Sequence, residues 1–389
     1  MRVAIIGAGV AGSFLAWLLS RKGVDCVIYD GAGVREKPCG GGCTSRVTRR
    51  YPFLTAASIR KNLVRHLSYH SNRYREINLE LEDPIWIYSR RELDGFLLEQ
   101  ALKSGARLRS VRVVSLEQES GQWRVRDTEG ESTCCDFLVG ADGALSLARK
   151  RLSQPLAPED LSVTIGYYIP GALHPDRLHV RFADPGWDGY LWALPRIDHV
   201  SLGVGNRYRW STASQLRAQL DRFARDLYGA GPGDDWHSYA APVPTLRART
   251  LKTQKIGGDS WALIGDAAGL VDPITAEGIP YAMRSAELLA EALAAGQPAI
   301  YEDGWRADFG RDLIQAARLK NLFFHRRVLG DTFINRMLGV TRRSPLVRKA
   351  QNDLIAGRIS YYGLFGRLAL HLPRIAADIS RWRGEAPPR

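Results

Sequence analysis

Val3-Ala4-Ile5-Ile6-Gly7-Ala8-Gly9-Val10-Ala11-Gly12 stands near the start of the chain, and Asp30 closes the next apolar run, Cys26-Val27-Ile28-Tyr29. The pattern reads as a strand, a glycine turn, a helix, a second strand and a terminal acid. Gly7 suits the tight turn, Gly9 lets a pyrophosphate approach the backbone, and Gly12 lets helix and strand pack closely. A pyrophosphate then meets the free N–H groups and positive dipole end of a helix. Asp30 sits where a carboxylate accepts from ribose hydroxyls, and its charge disfavours a 2′-phosphate. The uncharged run Val3 to Ser20 after Arg2 also suggests a signal peptide or an anchor. Neither predicts glycines at these intervals or an acid at the next strand end.

The chain has 389 residues, 45% hydrophobic and 24% charged, as expected for a soluble globular protein of two or three domains. No other apolar run is long enough to span a bilayer. The cysteines, Cys26, Cys39, Cys43, Cys134 and Cys135, are odd in number and show no secreted disulfide framework. This predicts a reducing, cytoplasmic setting. A net charge of +13, mostly from arginine, favours anionic partners. There is no basic tail and no nucleic-acid motif, so nucleic acid is not expected.

Residues 1–160 read as the first part of a nucleotide-binding domain. Ile85-Trp86-Ile87-Tyr88 forms a strand within it, and Leu93, Phe96, Leu97 and Ala101 mark one face of a helix. Residues 161–250 read as an inserted antiparallel sheet domain rich in aromatics. Residues 251–298 return to the first domain through the strand Trp261-Ala262-Leu263-Ile264 and a helix from Ile279 to about Ala295, stopped by Gly296. Residues 299–389 read as helices. The expected fold class is therefore α/β, a Rossmann-like domain interrupted by a sheet domain and followed by C-terminal helices.

Two more motifs follow predicted parallel strands, at the carboxyl ends where α/β folds bind ligands. Gly140-Ala141-Asp142-Gly143 comes after Phe137-Leu138-Val139, and Gly265-Asp266-Ala267-Ala268-Gly269 after the strand at 261–264. GxGxxG, then GADG, then GDAAG in this order resembles the flavoprotein monooxygenase superfamily of FAD proteins. The resemblance assigns Gly7, Gly9, Gly12 and Asp30 to the ADP half of FAD, and Asp142 with Gly143 to the pyrophosphate region. It assigns Gly265 and Asp266 to the ribityl chain. Arg90, or its neighbour Arg91, matches the arginine that lies near the cofactor.

Within that superfamily, Lys37-Pro38-Cys39-Gly40-Gly41-Gly42 is similar to the PCGGG loop of geranylgeranyl reductases. Tyr190-Leu191-Trp192-Ala193-Leu194-Pro195 followed by Gly203-Val204-Gly205 resembles the same family's YxWxFP…GxG substrate motif, with Leu194 in place of phenylalanine. The segment Gly265 to Ile279 resembles its third motif, with Ala276 where glycine is more common. The implied reaction is reduction of prenyl carbon–carbon double bonds, by a hydride from reduced flavin and a separate proton. A helix beginning at Gly278-Ile279 would aim its N-terminus at the anionic flavin. Tyr190 and Trp192 would ease cationic character on the alkene. Cys39, with Gly40 and Gly41, would stand at the flavin and serve proton delivery; a merely packing role for the thiol is the alternative. Cys39 and Cys43 as a redox pair is a further alternative. Tyr167, Tyr168, Tyr190 and Trp192 would line an apolar tunnel, and Arg46, Arg49 or Arg50 would hold a diphosphate.

The competing functions are an FAD-dependent aromatic hydroxylase and a non-catalytic flavin-binding protein. The electron donor is left between NADPH and a ferredoxin; an acidic electron-transfer protein would suit the positive charge. No zinc or other metal site is expected. Residues 359–372, apolar with interspersed cations and followed by Arg374, Arg381 and Arg383, read either as a helix packed on its own protein or as a peripheral membrane contact.

Overall fold

The computed structural model describes residues 1–171, 174–183 and 186–381; Arg383 lies outside them. The chain forms two compact units, each assembled from separate stretches of sequence.

The first unit comprises Met1–Lys37, Arg90–Leu161 and Pro242–Ile314. Its centre is a five-stranded parallel sheet in the order Trp261–Leu263, Phe137–Gly140, Arg2–Ile6, Asp25–Tyr29, Arg107–Arg109. Val3, Ile5, Ile28, Leu138 and Val139 have no exposed surface. Such continuous apolar runs are expected of parallel strands covered on both faces. The helix Val10–Ser20 packs against Arg90–Lys103 and against Ile279–Ala294. The latter ends close to its expected limit, and Gly296 follows it with a φ of +67°. A separate antiparallel sheet of three strands, Val113–Glu119, Gln122–Asp127 and Ser132–Cys135, stands beside this layer.

The second unit comprises Pro38–Ser89, Ser162–Ala241 and the described residues from Gln315 on. Its eight-stranded sheet runs His237–Pro244, Leu161–Pro170, His199–Arg207, Tyr190–Pro195, Arg177–Phe182, Lys61–His70, Ile77–Tyr88, Gly42–Cys43. The pairing of Arg177–Phe182 with Lys61–His70 is parallel, where an antiparallel sheet is expected from the sequence. This junction joins strands from two distant stretches of chain.

One face of this sheet is sealed by the helix Ala213–Tyr228. A capping box of Thr212 and Gln215 opens the helix, and Gly229, in the left-handed region, closes it. Leu216, Leu220 and Phe223 recur at helical spacing and are buried against Ile165, Tyr167, Leu191, Ala193, Leu202 and Val204. Each such side chain contributes about 2 kcal/mol. Strand periodicity then turns Tyr168, Tyr190, Trp192, Ser201 and Gly203 to the opposite face. Tyr167 does not join them. It lies on the helix side, donates its hydroxyl to Asp221 Oδ1 at 3.0 Å and accepts from Arg217 Nη1 at 2.8 Å.

Buried in the same unit, His70 Nε2 and His179 Nδ1 lie 3.1 Å apart, and the His174 ring stands 5.7 Å from that of His179. Burial, then the neighbouring imidazoles, depress His179 to about 4. An unfolded imidazole takes its proton near pH 6.5, so between about 6.5 and 4 the unfolded chain binds the extra proton. Stability is therefore expected to fall as pH drops through this window. A His179→Gln variant should show a shallower acid limb in urea denaturation at pH 7 and pH 5; unchanged slopes would remove His179 from that role.

Towards the C-terminal end of the described residues, the helices Phe333–Arg343, Pro345–Ile355, Tyr361–Leu370 and Leu372–Arg381 follow a small hairpin of Arg327–Val328 with Asp331–Thr332. Among the described residues, no helix is long and apolar enough to cross a membrane.

Candidate active site

In the first unit the opening motif folds as the sequence implies. Gly7 has a φ of +106°, and its N–H donates to Tyr29 O at 2.8 Å, tying the turn to the second strand. A Cβ on Gly12 would lie 2.0 Å from Gly7 O, so only glycine lets the helix sit this close. Asp30 braces the turn: its carboxylate accepts from the backbone N–H groups of Ala8 at 2.8 Å, Ala32 at 2.8 Å and Gly33 at 3.0 Å. The helix Val10–Ser20 has no side-chain cap and no acid in its first turn. Its N-terminus therefore keeps its donors for an anion.

Above this turn stands a cation that motif reading did not single out. A Cβ on Gly9 would meet only Lys37 Nζ, at 3.4 Å. Lys37 Nζ in turn donates to Asp94 Oδ2 at 2.7 Å. Arg90 donates to the same carboxylate through Nε at 2.8 Å and Nη2 at 3.0 Å. Its neighbour Arg91 is exposed. Burial would raise the Asp94 carboxyl; Arg90 and Lys37 outweigh it and hold the group below the usual carboxylate range. The spacing of Arg90 and Asp94, four residues apart on a helix, was the available sequence signal.

Asp142 caps the short helix Leu147–Leu152, accepting from Leu147 N at 2.7 Å, Ala148 N at 3.2 Å and the Ser146 hydroxyl. Gly143 beside it faces open space. Gly265 N donates to Ser285 Oγ at 3.1 Å. The Asp266 carboxylate accepts no hydrogen bond among the described residues, and burial raises it above the usual range, with Arg90 and Lys37 opposing. Gly278 precedes the uncapped helix that starts at Ile279, and a Cβ on Gly278 would lie 3.1 Å from Asp266 Oδ1. An open glycine turn, two cations, an unsatisfied carboxylate and two free helix N-termini fit FAD. Lys37 and the first turn suit its diphosphate, and Asp266 its polyol. When bound, FAD supplies hydride transfer.

Ala276, in the loop before that helix, has a φ of +56°. A side chain in the left-handed region is strained by about 1 kcal/mol. Ala276→Gly is expected to stabilise the protein by about that amount. Urea unfolding of the two proteins checks it, and a destabilised variant would contradict it.

In the second unit the motif residues gather on the face opposite the helix Ala213–Tyr228. Trp192 pairs with Gly203, and Gly203 with Gly166, across three strands. A Cβ on Gly203 would lie 2.2 Å from Trp192 Cζ2 and 2.7 Å from the Tyr239 hydroxyl; one on Gly166 would lie 2.2 Å from Tyr239 Cζ. The glycines form a floor on which two aromatic rings lie. Tyr168 lies tilted by 35° against Tyr239 with centroids 4.6 Å apart, and Tyr190 meets Trp192 edge-on at 5.9 Å. Burial pushes the Tyr239 phenol up. Tyr239 belongs to no recognisable motif and could not be found from the sequence.

The loop of Cys39, Gly40 and Gly41 is fastened to the same face. Cys39 O accepts from Arg196 Nη2 at 2.6 Å and from Ser201 Oγ at 3.0 Å. Ser201 Oγ also lies 3.1 Å from the Tyr239 hydroxyl. Arg196 is buried, with its guanidinium 5.6 Å from the Tyr168 ring centroid. Gly41 N–H donates to Cys39 Sγ at 3.3 Å, and the thiol is half-buried. Cys43 is fully buried in a strand, and all five cysteines are free thiols. Leu194 packs under the loop, its Cδ2 at 2.9 Å from where a Gly40 Cβ would be. Of the three arginines considered for a diphosphate, Arg49 is engaged with Ala356 O and Asp83.

An FAD binding domain matches residues 1–169. A geranylgeranyl diphosphate reductase of Synechocystis sp. is 30% identical over 321 residues, covering 76% of this chain and 75% of that protein. The chain belongs to the geranylgeranyl reductase family of FAD-dependent oxidoreductases. Another relative of this geranylgeranyl reductase family member is a menaquinone reductase of Mycolicibacterium smegmatis, 29% identical over 90% of this chain and 91% of that one. A geranylgeranyl bacteriochlorophyll reductase-like protein from Thermoplasma acidophilum shares the fold with a TM-score of 0.78 at 22% identity, covering 97% of this chain and 98% of its own. The cofactor of this geranylgeranyl reductase family member is FAD.

Proposed function

We propose that this flavoenzyme reduces carbon–carbon double bonds in a prenyl chain, either a geranylgeranyl group or the polyprenyl tail of a quinone. The observation that carries the reading is the aromatic face floored by Gly166 and Gly203, with the Cys39 loop fastened to it. An isolated alkene has no carbonyl to hold charge, so its reduction needs a dry apolar bed and a nearby proton. Trp192, Tyr190 and Tyr168 orient the chain and exclude water, and their ring faces favour developing positive charge. The proton is held at Cys39 Sγ or at the Tyr239 hydroxyl. Asp30, Asp142, Gly143 and Gly265 complete the first-unit cradle for the cofactor.

The reductant is NADPH or an acidic electron-transfer protein such as a ferredoxin; anaerobic bleaching of the flavin by one of them assigns it. Because its substrate is a lipid, the enzyme works in peripheral contact with a membrane. Anaerobic incubation of the reduced protein with prenyl lipids, read by mass spectrometry, tests the reaction. A gain of two hydrogens per bond is expected. A hydroxylated product that needs oxygen, or no product at all, would overturn it.

A further inference from the structure

The helices Tyr361–Leu370 and Leu372–Arg381 combine two features that ordinary surface helices keep apart. Residues 315–381 hold thirteen Lys and Arg against three Asp, so this stretch carries most of the chain's net charge of +13. The helix Tyr361–Leu370 also has no buried residue. Tyr361, Leu364 and Leu368, half-buried like Arg367, lie on one side, and the helix packs against Pro345–Ile355. On the other side Tyr362, Phe365 and Ala369 recur at intervals of three and four residues, with Leu370 next to them, all exposed to solvent. Tyr362 is 56% exposed, Leu370 81%, and Leu372 at the start of the next helix 63%.

A soluble protein rarely leaves a helical stripe of this size uncovered. The flanking charge says what covers it. Arg374 and Arg381 are exposed on the helix Leu372–Arg381, which is anchored on its inner side by buried Ile375 and by Ser344 Oγ donating to Asp378 Oδ2 at 2.6 Å. An apolar stripe with cations beside it matches the boundary between acyl chains and anionic headgroups.

We propose that the outer face of these two helices docks on an anionic lipid surface, with Tyr362, Phe365, Leu370 and Leu372 entering the acyl boundary and Arg374 and Arg381 meeting the headgroups. This deepens the function proposed above and rests on it for its purpose: a prenyl lipid is reached from the membrane that stores it. The helices lie along the surface, because neither is long enough to cross it.

The test is co-sedimentation of the full-length, FAD-loaded protein with vesicles of phosphatidylcholine alone and of an equimolar mixture with phosphatidylglycerol. Binding to the mixed vesicles only is expected. The double substitution Phe365→Glu, Leu370→Glu should lower it at least about tenfold, and Arg374→Gln about fivefold. Both substitutions are at exposed positions, so folding and FAD content should persist. Absent binding, or equal binding by wild type and double variant, overturns the proposal. So does a dimer that the double substitution splits, or a ferredoxin complex that it abolishes while vesicles never bind. Reduction of a short water-soluble prenyl diphosphate, assayed without vesicles, separates the two readings. Turnover without vesicle binding defeats only the docking face, and vesicle binding without turnover leaves the docking face standing.

Discussion

Replacing Asp94 by Ala is expected to destabilise the protein by about 3–5 kcal/mol and to weaken FAD binding on the order of a hundredfold. The side chain of Asp94 is 1% exposed and accepts from both Arg90 and Lys37. Its removal leaves two partly buried cations facing each other with no anion between them. The Lys37 ammonium then has nothing to hold it above Gly9, where an FAD diphosphate would meet it. Lys37→Gln removes one charge-assisted contact and leaves the Arg90–Asp94 pair intact, so a loss of roughly tenfold in FAD affinity with little change in stability is expected. Fluorescence titration of FAD and urea denaturation read the two effects separately. The assignment of Lys37 to the cofactor fails if Lys37→Gln binds FAD as tightly as the wild type.

Gly203→Val should leave FAD loading intact and lower prenyl-bond reduction about a hundredfold. A Cβ at that position meets the Trp192 ring at 2.2 Å and the Tyr239 hydroxyl at 2.7 Å, so both rings must leave the glycine floor. Displacements of an ångström in a reacting site cost roughly two orders of magnitude in rate. The backbone strand itself accepts valine well, because β-branched residues suit strands. Steady-state turnover with the flavin spectrum as a loading control measures the effect. Unimpaired turnover would place the substrate elsewhere than on this face.

The cofactor half of the site was legible because it is local. Gly7, Gly9, Gly12 and Asp30 lie within one strand–helix–strand unit, and Asp142 and Asp266 each follow their own strand directly. Ala276 shows how far the reading reached. Its departure from glycine was visible in the chain, and its left-handed backbone is the physical consequence. The partners of these residues were less accessible. Lys37 meets Asp94 across fifty-seven positions. The Cys39 carbonyl is held by Arg196 and Ser201, more than a hundred and fifty residues away. No spacing rule encodes contacts of that kind.

The sequence alone determined the class of fold, since glycine turns, strand-terminal acids and apolar periodicity are set by backbone geometry within a few residues; the flavin and the family followed from the resemblance of its motifs. It also implied that Tyr190 and Trp192 share a face, because strand side chains alternate with a period of two. Only the tertiary structure decided that Tyr167 lies on the helix side, that Tyr239 joins Trp192 over Gly203 and Gly166, and that the strands at 61–70 and 77–88 extend the same sheet. Register and strand order arise from packing between distant segments. A buried carboxylate such as Asp94 acquires its role from the cations that the fold brings to it.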